Sequence, residues 1–409
     1  MTLRQHRQHG LEKTVAYLNE RIKTLDALGN RYAWYRLITF LVGFGVGIPL
    51  YWVSEFAFWV IIISTIILFN IVAYQHRRVE SSHKKHQIWL DIKSTQLARM
   101  RLDWDSIPQT SFRSDNFDHP FEADLDITGK KSIHQLINLA ISHEGGELLR
   151  NWLLQQSPDL ADIQQRQPVV KELSALSGFR DKLLLNFKWV SEEQLEGKKL
   201  LDWLKQPSAS SALKWVLPLS TVLAIVNIGL FILYWVIQLS PFWVITLSIY
   251  VIIFFMNQGI TKHLFKNATL LDEEFGKIKA IIKFLETYPY HKSSHLAGKC
   301  HPFWEATQSP SRYLKRMKRI VAAIGFRGNP LVWLLINLIG PYDFFLARSL
   351  NRYKSALKDR LPQWIHTWTE LEALISLANM AWLNPQYSFP QVYANKQSPS
   401  DAILSAKQL

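Results

Sequence analysis

Residues 37–74 read LITFLVGFGVGIPLYWV, then SE, then FAFWVIIISTIILFNIVAY. Neither run, Leu37 to Val53 or Phe56 to Tyr74, carries a charged residue, and only Ser54 and Glu55 separate them. A helix needs about 20 apolar residues to cross the hydrocarbon core of a bilayer, within a range of ~17–25. Each run is long enough, and the link is as tight as a helical hairpin allows. A second pair lies further along: Trp215 to Ile237 and Phe242 to Asn257, joined by Gln238-Leu-Ser-Pro241. Its second half is the shortest run and would recruit Gln258 to Ile260. The expectation is four transmembrane helices arranged as two hairpins.

Lys and Arg around these runs set an expected orientation. Arg31 and Arg36 precede the first run, and Arg77, Arg78, Lys84 and Lys85 follow the second. Lys205 and Lys214 precede the third, Lys262 and Lys266 follow the fourth, and neither hairpin tip has a Lys or Arg. All basic flanks therefore share one side, expected to be the cytoplasm of a bacterium-like cell with the hairpins in its inner membrane. Trp34, Trp52, Trp59, Trp215, Trp235 and Trp243 stand at or near run ends, where interfacial aromatics belong. No ionisable path crosses the runs, which argues against a transporter. Gly43, Gly45 and Gly47 suit close helix contact.

The remaining composition agrees with a membrane protein carrying a helical body. The chain has 409 residues, 48% hydrophobic and only 20% charged, with 47 Lys and Arg against 33 Asp and Glu. The formal charge of +14 suits an anionic partner, either lipid headgroups or nucleic acid. A single cysteine, Cys300, excludes an intrachain disulfide and reads as an ordinary thiol in a reducing compartment. The first 36 residues are polar and mixed in charge, unlike a secretory signal.

Outside the apolar runs the pattern is all-α. Leu11, Val15, Leu18, Ile22 and Leu25 line one helix face. His76 to Arg101 is basic and continues as helix; its His76, His83 and His86 lack the cysteine or carboxylate partners of a metal site. Pro108 to Pro120 reads as a linker. Ser132 can cap a helix with Ile133, Leu136, Ile137 and Ala140, and Gly145-Gly146 breaks the pattern. A second helix presents Leu148, Leu149, Trp152 and Leu153 up to Pro158; a third begins near Asp162. After the fourth run, Leu264, Ala268, Leu271, Phe275, Ile278, Ile282 and Leu285 form a heptad seam. Leu331 to Leu346 is apolar but interrupted by Asn337, Gly340, Pro341 and Asp343, which fits a buried or interfacial helix, with a re-entrant segment as the alternative. Trp364 to Leu383 is a further amphipathic helix.

Two stretches carry a resemblance. Leu125-Asp-Ile, Ser132-Ile-His-Gln-Leu136, Gly146-Glu-Leu-Leu-Arg150-Asn-Trp-Leu-Leu154, Pro158, Ile163, Arg166 and Val169-Val-Lys-Glu-Leu173 follow one another over some 60 residues; Asn384-Pro-Gln-Tyr-Ser-Phe-Pro390 comes later. Their order resembles the core (lever) domain of MutS-family proteins, in particular a membrane-anchored branch with one hairpin before the core and one within it. The resemblance implies this layout: an N-terminal helix 1–36, hairpin 37–75, basic helix and linker 76–120, core 121–214, hairpin 215–260, core and lever 261–395, and tail 396–409. It also implies a DNA-binding ATPase of mismatch repair, working as a homodimer. The ATPase domain would need a G-x-x-x-x-G-K-[ST] loop for ATP and Mg²⁺. No such string occurs; Gly129-Lys130-Lys131-Ser132 lacks the upstream glycine. The chain stops at Leu409, about where that domain would begin, so the expectation is a fragment or split product, with the ATPase on following or separate sequence, or absent. The mismatch-reading string, phenylalanine, any residue, glutamate, occurs as Phe284-Leu285-Glu286 and Phe303-Trp304-Glu305, in the wrong part of the chain.

No catalytic constellation, resident cofactor or metal set is evident. The candidate phosphate contacts, to lipid or to duplex DNA, are Arg77, Arg78, Lys84 and Lys85 on one basic run and Arg312, Lys315, Arg316, Lys318, Arg319 and Arg327 on another. Two functions compete: a membrane-tethered MutS-like core protein, and a non-enzymatic helical scaffold on anionic lipid or a protein partner.

Overall fold

The computed structural model describes residues 1–109, 119–191, 194–206, 212–238, 240–290, 294–305 and 310–392, though not the side chains at 263, 264 and 266–273. Most of the linker expected from Pro108 to Pro120 lies outside the described residues. Along the chain run α1 (Leu3–Tyr51), α2 (Glu55–Arg101), α3 (Ile133–Ile137), α4 (His143–Leu153), α5 (Leu160–Ala175), α6 (Ser177–Val190), α7 (Gly197–Lys205), α8 (Leu213–Ile237) and α9 (Trp243–Met256). Then come α10 (Gln258–Thr287), α11 (Ser294–Lys299), α12 (His301–Trp304), α13 (Pro310–Ile324), α14 (Pro330–Ile339), α15 (Tyr342–Leu357) and α16 (Arg360–Leu383). The fold is all-helical as expected; among the described residues the only β pairing is an isolated bridge between Ser142 and Leu195.

The chain divides into two units. The first comprises the described residues within Met1–Asn138, Arg150–Glu192 and Ile375–Leu409. Its frame is the antiparallel pair α1 and α2, of 49 and 47 residues. Each is a single helix whose apolar half runs unbroken into a polar half. Ser54 caps α2, its hydroxyl accepting from Ala57 N–H at 3.4 Å, so the reversal is as short as the sequence required. Gly43 and Gly47, spaced as GxxxG, are buried against Thr65 and Ile62, whereas Gly45 faces open space. Only two of the three glycines therefore serve the helix contact. In the polar half Leu11, Leu18 and Leu25 are buried, and Leu11 joins Leu97, Met100 and Leu383 in one cluster with Trp382.

Four arginines of this unit close helix C-termini, where backbone carbonyls lack partners and the helix dipole is negative. Arg4 donates to Met100 O at 2.9 Å and Arg7 to Trp382 O. Arg99 donates to the carbonyls of Gln135 (3.0 Å), Leu136 and Asn138 (2.7 Å) behind α3. Arg180 donates to those of Leu173 and Ser174 (3.0 Å) at the end of α5. Part of the positive charge is thus internal architecture. Lys93 and Gln96 of α2 bind Asp181 of α6 in a buried network.

The second unit comprises the described residues within Leu139–Leu149 and Glu193–Leu374. The Gly145-Gly146 pair does not break a helix; both residues sit inside the first turns of α4. The reason is spatial: the Glu372 side chain of α16 fills the place of a Gly145 Cβ. The first capped helix also differs, since α3 keeps its Ser132 cap (Gln135 N–H to Ser132 Oγ, 3.1 Å) but stops at Ile137, before Ala140.

In the second hairpin α8 and α9 are joined by Thr246 Oγ1 donating to Asn227 Oδ1 at 3.1 Å and by the edge of Trp243 against Phe231. Among the described residues three helices, α1, α2 and α8, are long and apolar enough to cross a membrane. The fourth expected span is not among them. Its helix has 14 residues, about 21 Å of rise against a core of roughly 30 Å. Gln258 to Ile260 do not extend it: the backbone leaves the helical region at Asn257 (φ −99°, ψ 6°), and α10 begins at Gln258. In α10, Phe275, Ile278, Ile282 and Leu285 are buried; Leu264, Ala268 and Leu271 of the expected seam lie outside the described side chains.

Candidate membrane-surface site

Around the apolar halves the large hydrophobics point outward. Phe56 is 80% exposed, Trp215 80% and Ile225 64%. Water-soluble proteins rarely expose contiguous apolar surface beyond a few hundred Å². These helices are built for an apolar surround.

Immediately past Tyr74 the character of α2 inverts. Tyr74, Arg77, Arg78, Ser81, Ser82 and Lys85 recur at steps of three, one, three, one and three, so they share one stripe of the helix. Together they line a shallow recess of about 430 Å³. Arg78 lies over the Tyr74 ring at 5.9 Å. Lys84 and Lys85 sit over the face of Trp189 from α6, at 5.6 and 5.2 Å, so an aromatic wall holds both ammonium groups beside the stripe. Arg77 is exposed. Three cations, two hydroxyls and a phenol ring, one turn beyond an apolar helix, can receive an anionic oxygen cluster such as a phosphate. Tyr74, Ser81, Ser82 and Trp189 are not evident as site residues from sequence; the i, i+3, i+4, i+7, i+8, i+11 spacing from Tyr74 is the available signal.

The second basic run behaves differently along its length. Arg312, Lys315, Arg316, Lys318 and Arg319 are exposed on α13, while Leu314, Met317, Val321 and Ile324 are buried against the body. Arg327, a candidate phosphate contact from sequence, faces inward. It pairs with the buried Asp343 at 2.9 Å and lies over the rings of Phe265 (4.8 Å) and Trp333 (5.8 Å). The exposed cations of this run are therefore those of the α13 face alone.

The histidines of α2 are engaged along the hairpin. His83 Nε2 is 2.8 Å from Asp26. His76 Nδ1 accepts from Arg36 at 3.2 Å, and His86 Nδ1 donates to Ser82 O at 2.7 Å. Among the described residues, no cluster of three or more His, Cys, Asp and Glu could hold a metal. Of the phenylalanines in the two mismatch-like strings, Phe303 is a buried core residue and Phe284 is half-buried. Within the first unit Gln167 Nε2 donates to Pro390 O at 2.9 Å, and Lys171 lies over the Phe389 ring at 5.1 Å. Comparison with protein families, with curated proteins and with solved structures gave no match, so residues and geometry alone carry the functional reading.

Proposed function

We propose that this chain is a membrane-anchored helical scaffold whose basic faces rest on anionic lipid headgroups at the cytoplasmic side of a bilayer. The observation that carries this reading is the change of character on α2: the shallow cationic recess of Arg77, Arg78, Ser81, Ser82 and Lys85 starts within one turn of the last apolar residues. Cations at that height meet lipid phosphates, and each contributes about 1 kcal/mol near an anionic surface. The test uses the full chain in nanodiscs containing brominated phosphatidylglycerol or brominated phosphatidylcholine. Tryptophan quenching should favour the anionic lipid, and Arg77→Gln, Arg78→Gln and Lys85→Gln combined should abolish the preference. Equal quenching by both lipids in the unmodified chain would sink the reading.

A second reading is a membrane-tethered MutS-like core protein that contacts duplex DNA and works with an ATPase domain or chain, as a homodimer. It is supported by the packing of residues 166–173, the close of the first resembling stretch, on residues 384–390, the second. It requires that the detergent-solubilised chain bind duplex DNA with an affinity falling steeply with salt. Lack of binding at low salt excludes it.

A further inference from the structure

The apolar segment after α13 has a geometry that neither a buried helix nor a spanning helix would need. α13 and α14 meet at 111°. α14 has ten residues, about 15 Å of rise, half of a hydrocarbon core of roughly 30 Å. One face of α14 is open, with Leu331, Leu334, Leu335, Leu338 and Ile339 exposed, and Ile339 is exposed to 67%. The opposite face packs on α9, where Trp333 meets Phe254 at 6.0 Å and Asn337 O accepts from the Tyr250 hydroxyl.

These contacts give α14 a direction. Trp333, near its start, is level with Phe254, close to the end of α9; Asn337, one turn on, is level with Tyr250, one turn further from that end. α14 thus descends alongside α9, away from the side marked by Lys262, and Gly340-Pro341 then turns the chain into α15. The last carbonyls of a helix have no partner within it, and leaving one unbonded in hydrocarbon costs several kcal/mol. Here Ile336 O accepts from Gly340 N–H at 3.2 Å, and Tyr250 covers Asn337 O. At the mouth of the turn the polar groups answer one another. Asp343 N–H donates to Asn337 Oδ1 at 3.0 Å, Trp333 Nε1–H donates to Asp343 Oδ2 at 2.9 Å, and Arg327 pairs with the same carboxylate.

We propose that α14 is a re-entrant helix, inserted into one leaflet of the bilayer beside the second hairpin and latched at its entrance by the Arg327–Asp343 pair. This rests on the membrane reading above. Lipid rather than protein is the occupant because α14 packs on α9, an apolar helix of the second hairpin whose other side, at Ile245, Ile249 and Ile252, is likewise exposed. It also follows directly on the exposed cations of α13, which lie across the bend as an interfacial helix would, its charges toward headgroups.

The test is nitroxide accessibility on the full chain, with Cys300→Ala as background, spin-labelled in detergent and reconstituted in mixed phosphatidylcholine and phosphatidylglycerol. Labels go at Leu335→Cys, at Ile225→Cys in α8 as the lipid reference, and at Lys315→Cys in α13 as the water reference. At Leu335→Cys we expect strong relaxation by oxygen and loss of relaxation by a water-soluble nickel chelate, as at Ile225→Cys. Adding Asp343→Asn should restore nickel relaxation at 335 by releasing the latch. Nickel access at 335 with Ile225→Cys protected would overturn the re-entrant helix and leave the anchor intact. Exclusion of both probes at 335 would overturn it in favour of a protein cover. Nickel access at both positions would overturn the membrane reading itself.

Discussion

Glu372 holds the start of α4 through Ser142. The Ile141 N–H (2.8 Å) and the Ser142 N–H (3.0 Å) donate to Glu372 Oε1, and the Ser142 hydroxyl donates to Oε2. Ser142 Oγ accepts in turn from Gly145 N–H at 3.0 Å. The site is closed to solvent, and burial pushes the Glu372 carboxyl up to about 7, with the nearby Glu144 adding to the rise and the hydrogen bonds opposing it.

This carboxyl makes the second unit pH-sensitive. The native state holds the proton up to about pH 7, whereas an unfolded chain releases it near 4.5. Between those values the folded state binds more protons, so the contribution is complete below 4.5 and lost as pH rises through 7. The loss is at most about 3 kcal/mol. Thermal unfolding in detergent should give a higher midpoint at pH 5 than at pH 8, and Glu372→Gln should flatten that difference. An unchanged slope in the variant would remove Glu372 as its source.

The first hairpin should distinguish Gly43 from Gly45. A Cβ at Gly43 would run into the Thr65 side chain, including its Cβ, while one at Gly45 meets nothing. Gly43→Leu should destabilise the α1–α2 contact by about 1–3 kcal/mol, the usual cost of overpacking, and Gly45→Leu should leave it unchanged. Denaturation midpoints in mixed micelles read the difference; equal effects would show that the glycine spacing does not set the contact.

Arg99 should matter to stability more than to surface charge. Its guanidinium is buried, and although burial brings it down to about 10 it remains charged at neutral pH. Arg99→Met removes the guanidinium that donates to the carbonyls behind α3, a loss of about 2–3 kcal/mol. Arg99→Lys should recover only part, since an ammonium lacks the guanidinium fork. Chemical unfolding of the two variants measures both; full rescue by lysine would reduce the role to charge.

Cys300 should be silent. It is fully buried, and burial pushes its thiol up to about 12. The thiolate is the reactive form, so a maleimide should fail to label the native chain at neutral pH and should label it after unfolding. Rapid native labelling would contradict the packing.

How much of this was legible beforehand varies by element. The charge-free runs and the leucine face of α1 were plain, because apolar length and 3.6-residue periodicity are local properties. The basic stripe was half legible: its cations stood out, but Trp189, which gathers Lys84 and Lys85, lies about a hundred residues further along the chain. Arg327 shows the limit of local reading. Beside Arg319 it looks like one more surface cation, and only the folded chain turns it onto Asp343.

The sequence by itself determined that the chain is helical, where its apolar runs lie and which flanks are basic, since burial pattern and charge are written residue by residue. Tertiary structure alone decided which arginines close helix ends, why a glycine pair begins α4, where α9 stops, and that the segment after α13 bends and lies along α9. Each of those depends on a partner distant in the chain, or on where the backbone leaves the helical region. Such choices are settled by geometry and desolvation, which no run of residues carries on its own.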